Sequence, residues 1–233
     1  MHRKELNERS PLRVLEQSIR GGLGRGNVGV MVARHGVGKT AFLVGVALDD
    51  LMRGRMVLHV SLEHPVERVL VYYDEIFGDL VRKRKLEDVW AVRLEMERSR
   101  RIHSYLDGSF TAARLAQALE FKREHTGFEP ASIVIDGFPF QETVREEIDA
   151  LRSIARDVNA ELWMSAVTHR ESMIDEKGVP EPVAPLADSL DVILKMAHDG
   201  ENVQIGLLKD HDNPDVSELR LALDPTTMLL VKG

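Results

Sequence analysis

Ala33-Arg34-His35-Gly36-Val37-Gly38-Lys39-Thr40 is a Walker A phosphate loop with alanine in the place usually held by glycine. The apolar run Val28 to Val32 precedes it and a helical stretch follows, so the chain must leave a strand, turn sharply and open a helix. Such a turn converges free backbone N–H groups and a helix N-terminus on phosphate oxygens. Gly36 and Gly38 permit the turn, Lys39 supplies a mobile positive charge for the β and γ phosphates, and the Thr40 hydroxyl is suited to ligate Mg²⁺. The residues expected to cradle a nucleotide are therefore His35, Gly36, Val37, Gly38, Lys39, Thr40 and Ala41. Gly36 to Ala41 also satisfies the weaker dinucleotide pattern G-x-G-x-x-G/A, which explains neither Lys39 nor Thr40. Ala33 fits its position only if its φ stays negative.

With 233 residues, 43% of them hydrophobic and 30% charged, there is material for one sizeable core, and a single domain spanning 1–233 is expected. No window approaches 18 consecutive apolar residues, and the opening Met-His-Arg-Lys-Glu-Leu-Asn-Glu-Arg has no apolar stretch of the signal-peptide kind. These features predict a soluble, cytoplasmic protein with no membrane partner. The absence of cysteine excludes disulfides, thiolate metal sites and cysteine nucleophiles. A net charge of −7 leaves nucleic-acid binding to a local patch, for which the candidate is Arg82-Lys83-Arg84-Lys85 with Arg93, Arg98, Arg100 and Arg101. That run is interleaved with Glu87, Asp88, Glu95 and Glu97, the pattern of a solvated helix face.

Along residues 1–27, Ser10-Pro11 has the chemistry to start a short helix reaching about Arg20, and Gly21 to Gly26 form a glycine-rich lead-in. The pattern then alternates: strand 28–33, helix 39–52, strand 56–61, a charged helical region 65–99, strand 102–106, helix 110–125, strand 132–136, helix 142–158 and strand 161–168. Strands separated by helices predict an α/β fold with a mostly parallel central sheet and helices on both faces. After Arg170 comes a proline-containing acidic loop to about Asp188, then β-rich segments near 191–196, 203–209, 217–223 and 227–231. Turn signals at Asp199-Gly200 and Asp224-Pro225 make these a C-terminal antiparallel extension.

Ile133-Val134-Ile135-Asp136 is an apolar strand ending in a carboxylate, the form of a Walker B element, with Asp136 expected to hold Mg²⁺. A second strand, Met56 to Ser61, runs into Leu62 and Glu63; Glu63 either orients water as a general base or caps the helix that follows. Together Gly21-Gly22-Leu23-x-x-Gly26, the phosphate loop, Ser61-Leu62-Glu63 and Val134-Ile135-Asp136-Gly137 resemble the RecA-like P-loop ATPases, nearest the branch of KaiC and DnaB. The resemblance runs from about residue 12 to 231 and rests on the order and spacing of several short motifs. It implies that the strand at 161–168 lies between the Walker A and Walker B strands, that Glu63 is the catalytic glutamate, and that ATP binds between subunits of a homo-oligomer such as a hexamer, another ring or a filament. It also implies that Leu162 to Arg170 is a sensor strand whose end, at Thr168 and His169, faces the γ-phosphate. Lys209-Asp210-His211 falls where the helicase branch has a Lys-x-Arg pair reaching the neighbouring nucleotide, with His211 in place of arginine. A largely neutral, shorter imidazole stabilises phosphate charge less well, so Arg170 or Lys209 supplies the finger or turnover is slow.

The function expected first is an ATP- and Mg²⁺-dependent ATPase acting as a conformational switch, with a protein partner not named by the sequence. A DNA-acting recombinase or helicase motor is the alternative. It is disfavoured because the loops after the Walker B and sensor strands carry Glu142, Glu146, Glu147, Glu171, Asp175, Glu176 and Glu181. A non-hydrolysing assembly factor is the third reading, favoured by Ala33 and His211 and opposed by the pair Glu63 and Asp136. Tyr72-Tyr73 could stack on adenine, although helical aromatics belong more often to a core. The histidines show no metal-binding spacing.

Overall fold

The computed structural model describes residues 2–19, 21–200, 202–213 and 215–233. Seven helices and nine strands are described: α1 (Arg3–Glu8), α2 (Leu12–Ser18), β1 (Val28–Ala33), α3 (Lys39–Met52), β2 (Val57–Ser61), α4 (Val66–Arg84), α5 (Val89–Ser99), β3 (Arg100–Ser104), α6 (Ala112–Thr126), β4 (Ser132–Asp136), α7 (Arg145–Asp157), β5 (Glu161–Val167), β6 (Val192–Asp199), β7 (Asn202–Asp210), β8 (Leu221–Leu223) and β9 (Leu230–Lys232). A 3₁₀ helix at Ala184–Ser189 precedes β6. The strands form one sheet in the order β3-β2-β4-β5-β1-β6-β7-β8-β9. Pairing is parallel from β3 through β6 and antiparallel from β6 to β9.

This arrangement follows from the hydropathy of the strands. Every residue of β1, β2 and β4 is buried, as strands covered on both faces require. One core packs α1 to α5 against one face, and a second packs α6, α7 and the 3₁₀ helix against the other. Helix α3 lies between the sheet and α4, which is why it is apolar nearly all round rather than on one stripe. Gly29 pairs in register with Trp163, and a Cβ there would come within 2.6 Å of the indole. The glycine makes room for the ring, which Phe42 meets edge-on at 5.8 Å.

The expected helix 39–52 and strands 28–33 and 132–136 are found with those bounds, and β5 lies between β1 and β4 as anticipated. Other boundaries differ. The helical region 65–99 is two helices, because Lys85 and Asp88 take left-handed backbone conformations and break it. The strand expected at 102–106 is β3 at 100–104, set by pairing of Arg100 with Val57. The strand expected at 56–61 starts at Val57, and that expected at 161–168 stops at Val167. Helix 110–125 becomes Ala112–Thr126, started by a Thr111 side chain that accepts from Arg114 N–H, and helix 142–158 becomes Arg145–Asp157. The segments expected at 191–196 and 203–209 extend into the longer hairpin β6–β7, whereas 217–223 and 227–231 shrink to three residues each in β8 and β9. The helix expected from Ser10 spans Leu12–Ser18, with Arg20 outside the described residues, and α1 adds a helix the sequence pattern did not show. Among the described residues no helix is long and apolar enough to cross a membrane.

Candidate functional site

Strands β1, β2, β4 and β5 all point their C-terminal ends to one edge of the sheet, and the motifs found in the sequence meet there. The phosphate loop leaves β1 after Ala33, whose φ is not positive, and turns through Gly36 at φ +76° and Gly38 at φ +115°. A Cβ at Gly38 would come within 2.5 Å of Leu223 Cδ2, so the loop is pressed against β8 and cannot accept a larger residue there. At Gly36 a Cβ would meet nothing within 4 Å, which leaves the concave side of the loop open. His35 and Gly36 are exposed, whereas Val37 is buried. The Ala41 side chain is in the core, so only its backbone faces the loop.

Lys39 is buried, and its Nζ donates to the Arg34 carbonyl at 3.2 Å. An ammonium has three donors, so this one bond leaves capacity for phosphate oxygens. Burial lowers its pKa, and the nearby Glu63 and Asp136 carboxylates oppose that shift. Thr40 Oγ1 donates to Asp136 Oδ2 at 2.7 Å, which brings together the two residues expected to share a metal ion. Asp136 is 1% exposed, and its second oxygen accepts from the Ser165 hydroxyl at 2.7 Å. Ser165 in turn accepts from Gly137 N–H at 2.8 Å, so β5 holds both the carboxylate and the turn after it. The hard oxygen donors of Thr40 and Asp136 beside an open phosphate loop fit Mg²⁺, which binds through few protein ligands and completes its shell with water and phosphate.

Glu63 is exposed at the end of the β2 turn, lying directly over Gly137. Gly137 has φ +79°, and a Cβ there would overlap Glu63 Cγ, so the glycine admits the glutamate to the site. The turn is fixed by Leu62 N–H donating to the Asp136 carbonyl at 2.9 Å and His64 N–H donating to Ser61 Oγ at 2.9 Å. Glu63 does not cap α4, which has no side-chain cap. The structure thus brings Lys39, Thr40, Glu63 and Asp136 into one constellation.

The other sequence candidates are placed differently. His169 is exposed just past β5, with Nε2 3.4 Å from Gln141 Nε2 of the loop after β4. The Thr168 hydroxyl is committed to the Glu181 carbonyl at 2.8 Å. Lys209 donates to the carbonyls of Ala187 and Leu190 at 2.7 and 2.6 Å. Register places Lys209 and His211 at the opposite end of β1 from the phosphate loop, since Asp210 pairs with Val192 and Val192 with Gly29. His211 is turned inward, its Nδ1 2.8 Å from Asp210 and its Nε2 3.0 Å from the Leu23 carbonyl. Burial lowers its pKa, but those two hydrogen bonds outweigh burial and the net shift is upward. Arg34 and Arg170 are exposed, with guanidinium groups that have no partner among the described residues.

Tyr73 belongs to the core: its hydroxyl is 3.1 Å from His59 Nδ1, and the Arg100 guanidinium covers its ring. The basic run is largely engaged within the chain, with Arg82 on Asp79, Lys83 on Asp224, Arg93 on Asp74 and Arg101 over Phe128. Ser165 is the site residue that the sequence pattern did not single out. A hydroxyl at an inward position of an otherwise apolar strand was the available signal.

No protein-family model matches the chain, and no curated protein matches it in sequence. Among solved structures, the ATPase domain of a DnaB-like helicase superposes with a TM-score of 0.71 at 17% sequence identity, over 95% of this chain and 89% of that one. The likeness extends over nearly the whole of both chains and is one of fold. The expected RecA-like architecture, with the sheet order and phosphate loop described above, is borne out.

Proposed function

We propose that this RecA-like chain is an ATP-binding, Mg²⁺-dependent ATPase that works as a KaiC-like conformational switch in a homo-oligomer. The observation that carries the reading is the contact between Thr40 and Asp136 at 2.7 Å, with Lys39 and Glu63 close enough to influence one another electrostatically. In this assignment backbone N–H groups of residues 35–41 and the Lys39 ammonium bind the phosphates, and Thr40 and Asp136 hold Mg²⁺. The ion would neutralise charge on the phosphate oxygens. Glu63 takes a proton from water as the water oxygen bonds to the γ-phosphorus; the bond from that phosphorus to the bridging oxygen breaks, and ADP departs with the electron pair.

An oligomer is supported by where the remaining cations sit. Lys209 and His211 are too far along the sheet to serve the phosphate loop of their own chain, so any role at a nucleotide is toward a neighbouring copy. Because Lys209 and His211 are both bound internally, turnover without a further cation is slow, and Arg170 is the free candidate on the nucleotide edge. The internal pairing of the basic run argues against a DNA motor.

Two variants test the assignment. Lys39→Ala abolishes binding of a fluorescent ATP analogue, whereas Glu63→Gln binds it as the unmodified chain does and releases no phosphate. Wild-type hydrolysis by Glu63→Gln overturns the catalytic assignment.

A further inference from the structure

The loops leaving the neighbouring strands β4 and β5 hold large apolar side chains in solvent. Met173 is 70% exposed, Ile174 58% and Val144 59%. The loop after β5 is an ordered hairpin in which Ile174 forms an antiparallel bridge with Pro180. The Asp175 carboxylate accepts from Lys177 N–H at 2.9 Å and Val179 N–H at 2.8 Å, and Glu181 N–H donates to the Met173 carbonyl at 2.9 Å. Adjacent Met and Ile side chains held outward by a fixed backbone can be covered with little further ordering cost. The loop after β4 lies alongside because β4 and β5 pair in register, and the Gln141–His169 contact at 3.4 Å joins the two loops.

Charge around these apolar residues is one-sided. Glu142, Glu146, Glu147, Glu171, Asp175 and Glu176 surround them, against Arg145, Arg170 and Lys177, and Arg145 faces Asp188 at 3.7 Å. The geometry points to this surface as the docking site for a basic protein segment that presents an apolar face. Its apolar side chains cover Met173, Ile174 and Val144 while its Lys and Arg residues meet the surrounding carboxylates. A nucleic-acid strand would meet carboxylates with its phosphates and fits the same surface poorly. The surface also abuts the proposed nucleotide site, because its loops begin at Gly137 and Thr168, and Gly137 is tied through Ser165 to Asp136. The docking assignment deepens the proposed switch by giving its partner a chemistry, and it rests on that reading only for its coupling to nucleotide.

The test uses the full chain and the charge-preserving double variant Met173→Ser, Ile174→Ser, with thermal unfolding confirming that both are folded. Three fluorescent probes are titrated by anisotropy: an amphipathic Leu/Lys peptide, a Leu/Glu peptide of the same pattern and a single-stranded oligonucleotide. The Leu/Lys peptide is expected to bind best, to weaken about tenfold in the double variant, and to protect residues 169–181 from hydrogen exchange. Equal peptide affinity for the two chains would reduce the effect to net charge and overturn the proposal. Oligonucleotide binding that is tighter than peptide binding and lost in the double variant would overturn it in favour of a nucleic-acid surface. Binding of a fluorescent ATP analogue, measured alongside, is expected to be equal in both chains. Its absence from both would overturn the nucleotide reading without touching the docking result.

Discussion

The Ser165 hydroxyl donates to Asp136 Oδ1 at 2.7 Å, so a residue of β5 orients the carboxylate of β4 while Thr40 holds its other oxygen. Partners behind a metal ligand commonly change metal affinity by about 10- to 100-fold when removed. Ser165→Ala is therefore expected to raise the Mg²⁺ concentration for half-maximal ATP hydrolysis by at least about tenfold, with a stability cost of roughly 1–3 kcal/mol. A Mg²⁺ titration that superposes on that of the unmodified chain would remove Ser165 from the site.

Gly137 admits Glu63 because it has no side chain, so Gly137→Ala acts on the water-activating carboxylate without touching the phosphate loop. Phosphate release is expected to fall about 100-fold, a typical contribution of a positioned general base, while ATP-analogue affinity stays within about twofold. Loss of binding together with turnover would show that the turn supports the loop as well.

Buried His59 carries an acid-linked stability term. Burial drives its pKa down to about 4 from 6.5, Arg100 and His64 act in the same direction, and Asp136 opposes. With the folded value below the unfolded one, this stability is present above about pH 6.5 and is lost as pH falls through about 4. The full effect is on the order of 3 kcal/mol. Asp49, pushed up to about 6 by burial, has the opposite slope in part of that window, so the informative quantity is the difference between the unmodified chain and His59→Gln. Urea midpoints measured from pH 4.5 to 7 should diverge as pH rises, and parallel curves would contradict the linkage.

Gly29→Ala tests the packing of the central sheet away from the chemistry. The added methyl meets the Trp163 ring, and overpacking of this kind costs about 1–3 kcal/mol. A lowered denaturation midpoint with unchanged ATP-analogue affinity is expected.

Strands β1 and β4 and helix α3 were legible in the sequence because their hydropathy is nearly continuous and glycine or aspartate marks their ends. The position of β5 between them came from the family resemblance, since hydropathy carries no sheet order. Strand β3 was shifted by two residues because Arg100 to Ser104 are all half-buried and Ile102 is the one aliphatic side chain among them. The break between α4 and α5 was hidden because Lys85 to Asp88 have an ordinary helical composition, and only their backbone conformation interrupts the helix. Helix α1, nearly all charged, is fastened by Leu6 and by Asn7 Nδ2 donating to the Met52 carbonyl at 2.6 Å, contacts that no local pattern announces. The contribution of Ser165 depends on the facing carboxylate across two strands and had no local signature either.

The central claim, an ATP-driven switch in an oligomer, is tested most directly by light scattering of the full chain with and without ATP and Mg²⁺. The account expects a larger particle with ATP and Mg²⁺ that persists in Glu63→Gln and is absent in Lys39→Ala. A monomer mass unchanged at saturating ATP and Mg²⁺ would contradict it.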